Sequence, residues 1–201
     1  MILMIKPSSM LTSDKVIRTA LKRKLQAKHK GELHTIIVEE LGLKHGAARV
    51  DIAVINGVIH GYELKSDLDT LNRLPEQIRI YNSVLDKITI VVGKQHLHSA
   101  IKIIPDWWGI SIAKMLKPNG KIVFYNIRKP EENPLKDSVA IAKLLWRGEA
   151  LDILEQLNQA DGFRSKKRQI IYERLANVLD QKPLQRKVRE YLFIRTNWRS
   201  G

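Results

Sequence analysis

Asp51, Glu63 and Lys65 stand inside two short runs, RVDIAVIN and VIHGYELKS, whose other members are mostly Val, Ile, Ala and Tyr. Runs of that composition read as strands, and strand side chains alternate with period two, so Glu63 and Lys65 share a face. Two carboxylates and an ammonium on a half-buried apolar surface are costly unless they pair or gather a cation. A divalent metal would remove that cost.

The two runs meet at Asn56-Gly57, a strong hairpin signal. With a plain two-residue loop, Asp51 opposes Tyr62 and Glu63 opposes Val50, which puts the acids on opposite faces. They share a face only if the hairpin carries an odd offset. A three-residue loop with Gly57 in the left-handed region, or a bulge at Gly61, supplies it, and one of the two is expected.

A third carboxylate precedes the hairpin. The stretch ELHTIIVEELGL reads as a short helix with Leu33, Ile36, Ile37 and Leu41 on its apolar stripe, which turns Glu40 rather than Glu39 toward the hairpin. Glu40, Asp51 and Glu63 then form an oxygen-rich cluster of the kind that suits Mg²⁺ or Mn²⁺.

The elements that must hold these residues follow an α/β order. Ser13 is an N-cap for a helix to about Lys28, apolar at Val16, Ile17, Ala20, Leu21 and Leu25 and basic elsewhere. After the hairpin come a helix over LPEQIRIYNSVL, a buried-type strand over ITIVVG, and strands over WWGISIAK and KIVFYNI. The Pro-bearing PEENPLKDS reads as a linker, and helices are expected over 138–158, 164–180 and 184–195. The organisation is therefore a mixed sheet flanked by helices over 1–130, then a basic helical region over 135–201.

Composition sets the partner class. The 201 residues carry 35 Lys and Arg against 21 Asp and Glu, a net charge of +14, which calls for a polyanion and nucleic acid first. The segment 49–134 is the least basic, with twelve cations and nine acids, as suits a carboxylate site between basic surfaces. With no cysteine, disulfides, thiolate metal sites and cysteine nucleophiles are excluded. No run reaches membrane length and the first ten residues lack a signal-peptide core, so a cytoplasmic protein without a membrane partner is expected.

A carboxylate-bearing helix, an Asp on one strand and Glu-x-Lys on the next resemble the PD-(D/E)XK nuclease superfamily. Gln77 and Tyr81 at Q-x-x-x-Y spacing on the following helix are similar to its RecB-like branch. ARVDIAVING, HGYELKSDLDTLNRLPEQIRIY, PDWWGI, LLWRGEAL and GFRSKKR resemble a bacterial family of small PD-(D/E)XK-like proteins over most of the chain. Val50 departs from the proline that often precedes the first Asp.

The resemblance implies a restriction-endonuclease-like core and Mg²⁺- or Mn²⁺-dependent hydrolysis of phosphodiesters. DNA is the expected substrate, with RNA as the alternative, in a repair, mobile-element or phage-defence setting. It implies that Asp51 and Glu63 ligate the metal with the Leu64 carbonyl, and that Glu40 completes the shell directly or through water. Lys65 would orient or help deprotonate the attacking water, while Gln77 and Tyr81 support Lys65 or the scissile strand. The competing reading is a catalytically silent nucleic-acid-binding or partner-recruiting module on the same fold.

Other residues have plainer readings. His96 and His98 lack a third ligand nearby and read as surface histidines; His60 is a minor candidate for substrate contact. One of Trp107 and Trp108 reads as core rather than as a base-stacking platform. Arg164, Lys166, Lys167 and Arg168 are candidate phosphate contacts, with a solvated helix face as the alternative. The C-terminal helices are also a candidate surface for a homodimer or a protein partner.

Overall fold

The computed structural model describes residues 11–117 and 119–195. The chain runs α1 (Asp14–Lys28), β1 (Ile36–Leu43), β2 (Ala48–Ile55), β3 (Ile59–Lys65), α2 (Leu74–Asn82), β4 (Lys87–Gly93), α3 (Leu97–Ile103), β5 (Gly109–Met115) and β6 (Ile122–Arg128). Four helices follow: α4 (Ser138–Ala142), α5 (Arg147–Gln156), α6 (Arg168–Val178) and α7 (Gln181–Ile194). The six strands form one sheet in sequential order. β3, β4 and β5 are parallel, and β1 to β3 and β5 to β6 are antiparallel neighbours. This is an α/β fold with a mixed sheet flanked by helices. Among the described residues no helix is long and apolar enough to cross a membrane.

Each face of the sheet has its own core. On one, Ile17, Leu21 and Leu25, spaced by four along α1, pack on Ile52, Val54, Tyr62, Leu64 and Val91. On the other, Ala53, Ile55, Ile90 and Val92 share a continuous core with Tyr81 of α2 and with Ile141, Ile153, Tyr172, Leu184 and Val188 of the C-terminal helices. β4 is buried along almost its whole length because it feeds both cores. That accounts for its unbroken apolar run.

Several sequence expectations need correction. ELHTIIVEELGL is a strand, not a helix: Ile36 to Leu43 pair with β2 from Ile36↔Ile55 to Leu43↔Ala48. Leu33, assigned to the helical stripe, is 87% exposed, and the β-branched Ile36, Ile37 and Val38 favour the pleated surface instead. The expected helix over 138–158 is two, because the chain restarts at Arg147, where Glu149 accepts from the Trp146 amide at 2.7 Å. His96, on a helical turn, is half-buried, and His98, on α3, is exposed. The 130–137 stretch is coil, as expected, with Ser138 already opening α4, and it is fastened: the buried Asn133 side chain donates to the carbonyls of Asn82 and Leu85, both at 2.7 Å.

Candidate active site

The β2–β3 hairpin decides whether the acids meet. Ile55 pairs with Ile59 and Ile52 with Tyr62, so the loop is Asn56, Gly57 and Val58. Gly57 has φ +86°, where glycine has no Cβ penalty. Continuing this register one residue sets Asp51 across from Glu63. Gly61 is no bulge, since it pairs with Ala53; a Cβ there would lie 2.6 Å from Leu85 Cδ1 and 3.0 Å from Val50 Cγ2. Of the two expected offsets the structure uses the loop.

A second irregularity opens the sheet beside Asp51. Glu39 pairs with Ile52 and Leu41 with Val50, while Glu40 between them has φ +56°. Val38 and Leu41, three residues apart, both enter the larger core, as do Val50 and Ala53. Both strands therefore swivel at the Glu40–Asp51 step. A non-glycine residue in the left-handed region is a strained conformation that the surrounding pairing must hold.

Glu63 is buried and fully engaged. Its Oε1 accepts from Lys65 Nζ at 2.6 Å and Gln77 Nε2 at 2.7 Å, and its Oε2 from the Tyr81 hydroxyl at 2.6 Å. Gln77 and Tyr81, one turn apart on α2, thus act on Glu63 together. The Tyr81 hydroxyl also lies 2.6 Å from the Arg49 carbonyl. Burial and the Glu63 charge raise the Tyr81 pKa well above its ordinary value, so the group remains a donor. Among the described residues the buried Gln77 Oε1 has no partner.

Asp51 is held differently. Its Oδ2 accepts from the Leu64 amide and its Oδ1 from Arg18 Nη2, both at 2.7 Å. Burial first, and the Glu63 charge second, push its pKa up to about 7 against the opposing pull of Leu64 and Arg18. Arg18 also donates to Asp14 at 3.0 and 3.1 Å and to Glu40 at 2.7 Å. One guanidinium therefore gathers three carboxylates. Burial works against its charge, but Asp14 and Asp51 outweigh that and raise the Arg18 pKa.

These groups line an open cleft of about 820 Å³ between the Gly46–Arg49 turn, the 68–77 segment and the start of α1. Among the described residues, six carboxylates (Asp14, Glu40, Asp51, Glu63, Asp69, Glu76) and four cations (Arg18, Arg49, Lys65, Arg73) line it. An excess of hard oxygens over cations suits a divalent ion. Among the described residues no three His, Asp or Glu side chains are arranged to hold a metal, and the cations at the acids are Lys65 and Arg18. Asp51 and Glu63 with the Leu64 carbonyl are still the right donor class, and Asp51, its charge disfavoured by burial and by Glu63, would gain from an added cation.

All five expected catalytic residues, Asp51, Glu63, Lys65, Gln77 and Tyr81, thus gather at one place. Leu64 and Glu40 also line the cleft, though Glu40 arrives from a strand and its side chain is 49% exposed. The helical acid is Asp14 on α1, which sequence reasoning missed along with the gathering role of Arg18. The i, i+4 Asp14–Arg18 pair was the available signal, hidden within a helix read as basic outside its apolar face. Lys166, Lys167 and Arg168 are exposed at the start of α6, whereas Arg164 pairs with Glu155 and Asp161 at 3.0 and 3.1 Å. Trp107 and Trp108 are both core residues, and His60 stacks on Tyr62 and contacts Thr89 outside the cleft.

A family model described as bacteriophage P4 protein cII matches residues 8–200. Protein cII of Enterobacteria phage P4 is 27% identical over 120 residues, which cover 60% of this chain and 45% of that protein. The matched stretch thus spans less than half of the relative's length. A protein of unknown function from Silicibacter pomeroyi superposes with a TM-score of 0.42 at 21% identity, over 76% of this chain and 94% of that one.

Proposed function

The chain belongs to the bacteriophage P4 protein cII family, and from the geometry of its cleft we propose that it is a metal-dependent nuclease acting on DNA. The observation that carries this reading is the three-residue loop at Gly57, which sets Asp51 across from Glu63 with Lys65 beside them on the cleft floor. The order α1, three antiparallel strands, α2 and a parallel β4 supports a restriction-endonuclease-like core of the PD-(D/E)XK type. A relative from a phage favours a mobile-element or phage setting.

Asp51, Glu63 and the Leu64 carbonyl would hold Mg²⁺ or Mn²⁺, with Glu40 reaching it directly or through water. When bound, the ion supplies an activated water and a counter-charge for the phosphate. Lys65 places an ammonium on the cleft floor, where it can orient that water and steady charge building on the phosphate. Gln77 and Tyr81 fix the Glu63 carboxylate from α2 so that it need not reorganise during reaction. Arg18 ties Asp14, Glu40 and Asp51 together by hydrogen bonds and would yield Asp51 to the ion.

The test incubates the protein with supercoiled and linear duplex DNA, single-stranded DNA and RNA, in Mn²⁺, Mg²⁺ or EDTA. Metal-dependent cleavage that is lost in Lys65→Ala, with circular dichroism unchanged, is expected. Absence of cleavage on every substrate sinks the proposal. The second reading, a silent nucleic-acid-binding module, is favoured by one observation: both Asp51 oxygens and both Glu63 oxygens already have protein partners. It expects DNA binding with no Mn²⁺ bound at Asp51.

A further inference from the structure

The cations of the molecule fall into two kinds. Arg18, Lys22, Arg128 and Arg164 are spent on carboxylates. By contrast Lys44, Arg49, Lys143, Lys167 and Arg168 make no ion pair among the described residues. These five come from three separate parts of the sequence: the β1–β2 turn with the start of β2, the end of α4 and the start of α6.

The fold brings the three parts together. The His45 ring lies 5.4 Å from that of Tyr172, which seats the turn on α6. Arg168 is one helical turn before Tyr172 and so lies on the same face of α6, toward His45. The Tyr172 hydroxyl donates at 2.9 Å to the Leu145 carbonyl, which places the end of α4 and its Lys143 against the same spot. Burial, then the charges of Arg168 and Lys143, lower the His45 pKa, as expected where these cations converge on the ring. On its other side the turn continues through Gly46, Ala47 and Ala48 to Arg49, all of which line the carboxylate cleft.

We propose that a DNA strand entering the cleft leaves it across this turn, its phosphates passing Arg49, Lys44 and Lys143 to reach Arg168 and Lys167 at the start of α6. The proposal deepens the nuclease reading by naming the path of its substrate. The cleft itself, with more acids than cations, repels a polyanion and gives little affinity of its own. Affinity must come from cations beside it. The unpaired row is contiguous with the cleft mouth, and its release of counterions supplies binding that is independent of sequence.

The test measures anisotropy of fluorescein-labelled single-stranded and duplex DNA, and of RNA of the same sequence, in EDTA, so that no cleavage intervenes. Lys44→Glu with Arg168→Glu is compared with the wild-type chain and with Lys121→Glu. Lys121 precedes β6 at the opposite edge of the sheet and serves as a one-charge control, paired with Arg168→Glu alone. The double variant is expected to bind DNA ~10-fold or more weakly, with a dependence of log K on log salt that is flatter by ~0.9 for each phosphate no longer neutralised. Lys121→Glu should change the affinity less than ~2-fold. Equal losses in Arg168→Glu and Lys121→Glu overturn the path, as does wild-type affinity in the double variant, no DNA binding by the wild-type chain, or RNA bound ~10-fold tighter than DNA. Calorimetric titration with Mn²⁺ on the same proteins separates the two readings: DNA binding along the row with no Mn²⁺ uptake removes the nuclease and leaves the path.

Discussion

Two buried acid sites in this protein are built from the same residue types and come to different ends. Asp86, between α2 and β4, accepts from the Ile59 amide and Lys136 Nζ, each at 2.8 Å, and from Gln185 at 3.1 Å, with Arg189 at 3.9 Å. It is one acid enclosed by two cations, and it ties the sheet to the coil before α4 and to α7. Asp51 and Glu63 are two acids set face to face at an open cleft, with one cation each. Their mutual repulsion is left in place. A closed, compensated acid joins parts of a fold, whereas a like-charged pair open to solvent on one side can bind and exchange a cation.

Activity should break the comparison most sharply. Lys65→Ala and Asp51→Asn are each expected to lower metal-dependent DNA cleavage by ~10³-fold, the range found when a charge-stabilising group is removed. Asp86→Asn should retain cleavage within about threefold, provided the assay temperature lies below its melting point. Stability should show the reverse order. Asp86→Ala leaves Lys136 buried beside no buried acid, and urea unfolding should register a loss of about 3 kcal/mol. Asp51→Asn, which removes one of two repelling charges, should cost far less; a loss equal to that of Asp86→Ala would erase the distinction.

The pH dependence follows from the sign of the Asp51 shift. Its folded pKa, about 7, lies above the ordinary 3.8, so the fold favours the protonated acid. The associated stability is present below about pH 4 and is lost as pH rises through about 7, a change of at most ~4 kcal/mol. In thermal melts without metal, Asp51→Asn should gain on the wild-type chain over that window. Saturating Mn²⁺ should abolish the difference by favouring the ionised acid. If both proteins keep parallel pH profiles, burial and Glu63 are not disfavouring the Asp51 charge.

The smallest effect concerns Arg18. Arg18→Gln frees Asp51 Oδ1 and removes a positive charge from the cleft, so calorimetry should show Mn²⁺ bound ~5-fold more tightly. Arg189→Gln, the parallel change at the Asp86 site, should leave Mn²⁺ affinity unaltered. Weaker binding in Arg18→Gln would instead make Arg18 a positioning residue that holds Asp51 ready for the ion.

Much of the cleft was legible because its information is local. Alternation within VDIAVI and YELK puts Glu63 and Lys65 on one face, Asn56-Gly57 marks the turn, and the i, i+4 spacing of Gln77 and Tyr81 aligns them on α2. Requiring that two acids share a face even forced an odd offset, and Gly57 supplies it. The reading failed at β1, where Leu33, Ile36, Ile37 and Leu41 match a helical stripe and a short apolar run carries no clear period. Pairing with β2, a contact between segments, overrode that pattern. Glu40 consequently entered the cleft from a strained strand position instead of a helix.

The sequence by itself determined the order of strands from the hairpin to β6, the hairpin itself, the donor chemistry of Asp51 and Glu63, and the basic balance that points to a polyanion. All of these follow from composition and from spacings of a few residues. Only the tertiary structure decided which cations are free. Arg18, read as one more basic residue of α1, is committed to Asp14, Glu40 and Asp51, while Lys44, Lys143 and Arg168, distant in sequence, converge beside the cleft mouth. Pairing of charges depends on distances between elements. Those are fixed by how the helices pack on the sheet, which no local pattern encodes.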